Sequence, residues 1–210
     1  MASQTAKSGI RDEVAALKRA RTLSAAVELF YEHGYENTTL DAVAERLGVT
    51  KPFIYAHFSS KTNLLAEICS RGIASSLEAI DSVLPLKLSP TEKLERLGKH
   101  FVTAVLESQM SIAIFSREEK NLLPEDFERI SKMRRDFDRK LTNLLKEGAA
   151  AGEFNIADPH LAALAIGGMV SWGYVWYRQK GRLGLDEVAT EMTRLMLAMV
   201  QAKQKGSRGR

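Results

Sequence analysis

The sequence predicts an all-α protein, with an N-terminal three-helix domain built on a helix-turn-helix and a larger C-terminal helical domain for ligand binding and dimerisation. Three observations carry the prediction. Apolar residues recur at three- and four-residue intervals along the chain. No stretch from Pro90 onward alternates as a strand would, and Ser, Thr, Asp, Pro and Gly stand where helices should begin and end. The 210 residues, 45% of them hydrophobic, suffice for one or two ordinary domains, and 27% charged with 7% aromatic residues reads as globular.

Residues 1 to about 11 are small and polar and are expected to be mobile. From Asp12 a helical pattern begins, with Lys18, Arg19 and Arg21 ahead of an apolar face of Leu23, Val27 and Phe30. That basic lead-in either reaches phosphates beside a main nucleic-acid contact or is a solvated helix face. Glu32-His33-Gly34-Tyr35 ends the helix in the manner of a glycine cap followed by an apolar residue. Thr39 then caps a short helix whose Leu40, Val43, Ala44 and Leu47 share one face, and Gly48 stops it. Thr50 opens another, with Lys51 and Pro52 in its first turn. Val49, Ile54 and Phe58 can point back at the preceding helix. Thr50, Lys51, Pro52, Phe53, Tyr55, Ala56 and His57 are then left without a core.

Two short helices, a tight glycine turn and a donor-rich outer face describe a helix-turn-helix whose second helix fits the major groove. From Arg46 to Lys61 the basic residues are Arg46, Lys51 and Lys61, with no Asp or Glu among them. Duplex phosphates would attract such a surface. The alternative is an ordinary helical hairpin with a solvated face.

The run Ala20 to Leu65 resembles the DNA-binding domain of the tetracycline-repressor (TetR) family of bacterial regulators. The match rests on Phe30, Gly34-Tyr35, Thr38-Thr39, Ala44 four before Gly48, Val49-Thr50, and Tyr55, Phe58 and Lys61 at three-residue spacing. The resemblance implies backbone or base contacts by Thr39, Thr50, Tyr55, His57 and Lys61, with Lys51, Pro52, Phe53 and Ala56 facing the bases. The chain departs from the family at Pro52-Phe53, where small residues are frequent, and at Asn63, where an acid usually stands.

After Ser60 a long helix runs towards Val83, with Leu64, Leu65, Ile68, Ile73, Leu77 and Ile80 on one side; Pro85 and Pro90 break the pattern. The domain boundary is expected inside this helix near Arg71 or Gly72, giving domains 12–71 and 72–203 and a basic tail at 204–210. Further helices follow: a stripe of Leu94, Leu97, Phe101, Val105 and Leu106, a shorter piece from Met110 to Phe115, and a long helix from Pro124 to Ala151. Asp158-Pro159 starts a helix that is apolar on nearly all sides through Tyr177 and is therefore expected to be buried all round. A last helix spans about Leu185 to Ala202. Ala162, Ala163, Ala165, Gly167 and Gly168 would let the helix after Asp158 approach a partner closely. Paired with the last helix it would form a two-fold four-helix bundle, the alternative being one larger monomeric core.

Trp172 and Trp176 stand four apart, Met169 one turn before them, and Arg178 and Arg182 after them. Aromatics beside cations could hold a ligand with an apolar body and an anionic end, and Phe115 is a further candidate. Alternatively the tryptophans are core and Arg178 satisfies helix-end carbonyls. Ser116-Arg117-Glu118, Asn121-Leu122, Ala151-Gly152-Glu153-Phe154 and Trp176-Tyr177-Arg178 with Gly181 resemble a TetR subgroup controlling fatty-acid, aromatic-acid or steroid degradation. Members of that subgroup are released from DNA by acyl-coenzyme A thioesters. The resemblance implies that Trp172 and Trp176 line an acyl tunnel and that Arg178 faces the phosphates, although a proline usually stands where Gln179 or Lys180 is here.

No enzymatic motif accompanies these features. His33, His57, His100 and His160 are scattered, and HExxH, CxxC, GxSxG and a phosphate-binding glycine loop are missing from the sequence. Cys69 stands alone among apolar neighbours, which fits a buried thiol in a reducing cytoplasm, and no metal or cofactor is expected. The net charge of +4 excludes a histone-like polyanion binder, and no apolar run reaches the roughly 18 residues a membrane span needs. The expected function is that of a ligand-responsive repressor, dimeric on a palindromic operator. A multidrug-efflux repressor and a helical protein-binding adaptor are the alternatives.

Overall fold

The computed structural model describes residues 2–201, with side chains from residue 13. The expected basic tail at 204–210 lies outside the described residues. Every regular element among those described is helical: α1 (Ala2–His33), α2 (Leu40–Leu47), α3 (Lys51–Tyr55), α4 (Lys61–Val83), α5 (Pro90–Glu107), α6 (Gln109–Glu118), α7 (Pro124–Ala150), α8 (Pro159–Ser171), α9 (Gly173–Trp176) and α10 (Leu185–Gln201), with one 3₁₀ turn at Glu119–Asn121. α1 begins at Ala2, well before the Asp12 start that the apolar pattern indicated, because Ala, Gln and Lys extend a helix without needing a buried face.

The chain divides into two compact units, one built from the residues up to Ser70 together with Ala113–Phe127, the other from Arg71–Ile112 and the residues from Glu128 on. In the first, Leu23, Ala26, Val27 and Phe30 of α1 are buried with Leu40, Val43 and Ala44 of α2. Phe30 meets Tyr35 edge-on at 5.4 Å, and the Thr38 hydroxyl donates to the carbonyls of Gly34 (2.9 Å) and Leu29 (3.2 Å). These contacts fix the α1–α2 connection, which starts from Gly34 at φ 81°. Ala113–Phe127 belongs here because it grips the same connection. Glu118 accepts the Tyr35 N–H at 3.4 Å and the Asn121 amide at 2.9 Å, while Arg117 donates to the Tyr31 carbonyl at 3.3 Å.

In the second unit α5 packs chiefly against α10, with α8 and α9 alongside. Its core joins Leu94, Leu97 and Phe101 to Phe137, Leu141 and Leu144 of α7 and to Met192, Met196 and Val200 of α10. α5 begins with a full capping box: Ser89 Oγ accepts the Glu92 N–H, and Glu92 returns to the Ser89 N–H at 2.8 Å. That bond holds the Glu92 carboxyl below its ordinary range.

The helix expected to run unbroken from Asp158 through Tyr177 stops at Ser171 and restarts at Gly173, with Trp172 at the joint. A Cβ at Gly173 would stand 2.8 Å from Leu106 Cδ2, so the chain passes α5 with no room for a side chain. Nor is this helix buried all round. Leu161, Leu164, Trp172, Val175 and Trp176 are exposed apolar side chains, as are Leu195 and Met199 of α10.

Candidate functional site

α3 is held by its inner side chains and presents the others. Thr39 N-caps α2, its hydroxyl accepting the Ala42 N–H at 3.1 Å, which is worth about 1 kcal/mol to so short a helix. Gly48 ends α2 at φ 65°, ψ 34°, a left-handed conformation that turns the chain within two residues. Ile54 and Phe58, both fully buried, then anchor α3 from beneath. Thr50, Lys51, Pro52, Tyr55 and Ala56 are exposed, Tyr55 at 48%, while Phe53 and His57 are half-buried and meet edge-on at 5.4 Å. Thr50 takes the N-cap position without using its hydroxyl there, so that O–H stays available. Of the residues expected at DNA, Thr39, Thr50, Lys51, Pro52, Phe53, Tyr55, Ala56 and His57 thus lie on or beside one short helix and its approach.

The charges differ from what the linear run suggested. The run from Arg46 to Lys61 contains no acid, yet folding supplies its cations with partners. Arg46 pairs with Glu28 and Glu32 of α1, both at 3.2 Å, and Lys51 with Asp41 at 2.9 Å. The Asp41 hydrogen bond holds the Lys51 ammonium above the ordinary lysine range. Lys61 turns to the carbonyls of Tyr35 (2.7 Å) and Glu36 (3.3 Å) and lies over the Tyr35 ring, which leaves one of its three donors for a phosphate. In the basic lead-in, Arg19 is committed to Glu67 and the Phe58 face, whereas Lys18 sits 5.6 Å from the Phe53 ring centroid, beside α3. Lys18 is therefore the cation that α1 adds to this surface.

The expected ligand residues are divided between the two units. Phe115 is buried in the first unit; Met169, Trp172, Trp176 and Arg178 belong to the second. Trp172 and Trp176 are 60% and 46% exposed. Arg178 donates through Nη1 to the carbonyls of Val175 (3.0 Å) and Tyr177 (2.9 Å), closing α9. Such exposed, apolar residues look alike in sequence whether they line a tunnel or a surface.

The second unit instead contains a half-open cavity of about 260 Å³. Ile73, Phe101, Val105, Ile112, Phe137 and Leu164 form its apolar wall; Ser76, Arg134, Asp138 and Ser171 are its polar members. Sequence reading passed over Arg134 and Asp138 because they sit on the charged side of α7. The signal was their four-residue spacing around Phe137, a core position. Burial pushes the Asp138 carboxyl up, against the opposing pull of His160 and Arg134. A carboxyl whose folded value exceeds its unfolded one favours the fold below the unfolded value of about 3.9, and that contribution is lost as pH rises through the folded value. Asp138→Asn is therefore expected to raise the melting temperature at pH 7 by about 1–3 °C and to leave it unchanged near pH 3. Equal shifts at both pH values in thermal denaturation would show that the charge is not responsible.

The family described as bacterial regulatory proteins of the tetR type matches residues 23–68, and the tetracyclin repressor-like C-terminal domain matches residues 87–200. The transcriptional repressor KstR2 of Rhodococcus jostii (strain RHA1) is 26% identical over 182 residues, covering 86% of this chain and 89% of its own. The TetR family transcriptional regulator PfmR of Thermus thermophilus superposes with a TM-score of 0.77 at 29% identity, covering 88% of this chain and 100% of that one. AibR, crystallised with isovaleryl coenzyme A and operator DNA, shares the fold at a TM-score of 0.71 and 24% identity, over 87% and 97% of the two chains. With its second unit matched over more than half of the whole sequence and its helix-turn-helix built as described, this chain belongs to the tetracycline-repressor family: it is a ligand-responsive, DNA-binding transcriptional regulator and not an enzyme.

Proposed function

We propose that the protein is a cytoplasmic repressor that binds an inverted-repeat operator as a two-fold dimer and is released by an acyl-coenzyme A thioester. The observation that carries the DNA half is the exposed row of α3 standing over fully buried Ile54 and Phe58. A helix so anchored can meet base edges without rearranging its own core. Thr39, Thr50, Tyr55, His57 and Lys61 are assigned to backbone or base contacts, and Lys51, Pro52, Phe53 and Ala56 to the groove. Two copies are joined through the exposed apolar side chains of α8, α9 and α10, which buries Trp172 and Trp176 in the interface. Cytoplasmic residence goes with access to operator DNA, and no helix among the described residues is long and apolar enough to cross a membrane.

The acyl-coenzyme A assignment draws on the resemblance in Trp176-Tyr177-Arg178 and its companions, on AibR's ligand, and on the cavity's apolar wall. At about 30 Å³ per water-sized group the cavity accommodates an acyl group of roughly eight or nine carbons. Release requires this ligand to favour the geometry that cannot bind DNA, since equal affinity for both would shift nothing. Asp138 in that wall gives one specific support to a second reading, a sensor of lipophilic cations.

The test is an operator titration across salt concentrations, using a DNA fragment selected by the purified protein. Lys61→Ala should lower the slope of log affinity against log salt by about one and weaken all operators alike. Tyr55→Ala should weaken binding about tenfold without loss of folding. Unchanged affinity in both variants would remove α3 as the reading element. Octanoyl-coenzyme A should dissociate the wild-type complex, and a cationic dye that does so in its place would favour the second reading.

A further inference from the structure

Arg178 gives only its Nη1 group to backbone carbonyls, and α7 offers the anionic end of a thioester a second cationic surface. Along the outside of α7, Arg135, Arg139, Asn143 and Lys146 follow one another at helical spacing and, with Thr142 and His160, line a groove of about 390 Å³. Asp138 lines both this groove and the apolar cavity, so the two adjoin across a single side chain of α7. From Arg135 to Lys146 the stripe extends ~16 Å along the helix axis, enough for more than one phosphate.

We propose that this groove is a nucleotide-phosphate subsite, so that an inducer places its acyl group in the cavity and lays its phosphates over Arg135, Arg139 and Lys146. The inference rests on the acyl-coenzyme A reading given above. Guanidinium groups bind phosphate oxygens in pairs, and Asn143 and Thr142 add neutral donors between them. In the free protein Arg135 is paired with Glu128 and Arg139 with Asp136, while Lys146 has no ion pair among the described residues. Both pairs lie at the surface, where exchanging a carboxylate for a phosphate costs little. His160 stands in the first turn of α8, 3.5 Å from the Thr142 hydroxyl, and closes the far side of the groove. Asp138 lies at the junction, where the neutral amide-rich arm between thioester and phosphates would pass. Its carboxylate can accept a hydrogen bond from an amide N–H and would repel a phosphate.

The experiment compares octanoyl-coenzyme A with phosphate-free octanoyl-pantetheine by calorimetric titration of the full chain. Wild type should bind the coenzyme A thioester at least tenfold more tightly. The Arg135→Gln/Arg139→Gln/Lys146→Gln variant should lose that preference and keep the octanoyl-pantetheine affinity, with a thermal midpoint like wild type showing that it is folded. A triple variant that retains the preference overturns the subsite and leaves the acyl-coenzyme A reading standing. Wild type that binds no coenzyme A thioester between acetyl and palmitoyl overturns both. An Arg178→Gln variant that alone loses the preference returns the phosphates to α9 and likewise overturns the proposal.

Discussion

Ala165→Asp is expected to convert the dimer to a monomer and to reduce operator affinity by at least two orders of magnitude. Ala165 is exposed on α8 between Leu161 and Trp176, so the substitution touches nothing in the core of its own subunit. In the proposed two-fold interface through α8 both copies would carry the new carboxylate into the apolar seam. Leaving a charge buried and unpaired costs about 3–5 kcal/mol, and the symmetry counts it twice. A monomer engages one half-site and forfeits the effective concentration that tethers the second reading helix. Sedimentation velocity at micromolar protein and a gel shift on the same samples provide the test. A dimer that survives with its dissociation constant unaltered would move the interface elsewhere and leave the exposed tryptophans unexplained.

Gly148→Ala is expected to cost about 2–4 kcal/mol and to lower the melting temperature by roughly 5–12 °C, although alanine is the better helix former by about 1 kcal/mol. The reason is the way α7 ends. Gly152 turns the chain at φ 73°, the N–H groups of Glu153 and Phe154 both return to the Gly148 carbonyl at 2.9 and 3.1 Å, and the Phe154 ring folds down over Gly148. A Cβ there would stand 2.0 Å from Phe154 Cδ2 and 2.2 Å from Cε2. The ring, only 5% exposed, would have to leave its place in the core. In the Gly148→Ala background, removing Phe154 should then cost far less than it does in wild type. Additive losses in calorimetry would show that the ring and the glycine do not share one contact.

These two cases mark different depths of legibility. Phe154 reads from the sequence as one more apolar residue after a glycine turn, and its partner is invisible because contact across six residues depends on how the turn closes. The exposed face of α8 is plainly apolar in the sequence, but burial within a subunit and burial between subunits demand the same residue types. The reading helix was more accessible. Thr39, Gly48, Ile54 and Phe58 are local requirements of capping, turning and anchoring, and local requirements leave marks at fixed spacing.

By itself the sequence determined the all-helical class, the order of the elements and the helix-turn-helix, since these follow from periodicity and from capping residues acting within a few positions of themselves. Only the tertiary structure decided where charge and cavities lie. It brought Glu28, Glu32 and Asp41 to cations of a run that holds no acid of its own, turned Trp172 and Trp176 outward, and set Arg134 and Asp138 against an apolar space. The physical reason is the same in each instance: electrostatic and packing environments are sums over neighbours in space, and those neighbours are fixed by how helices cross, which no single segment encodes.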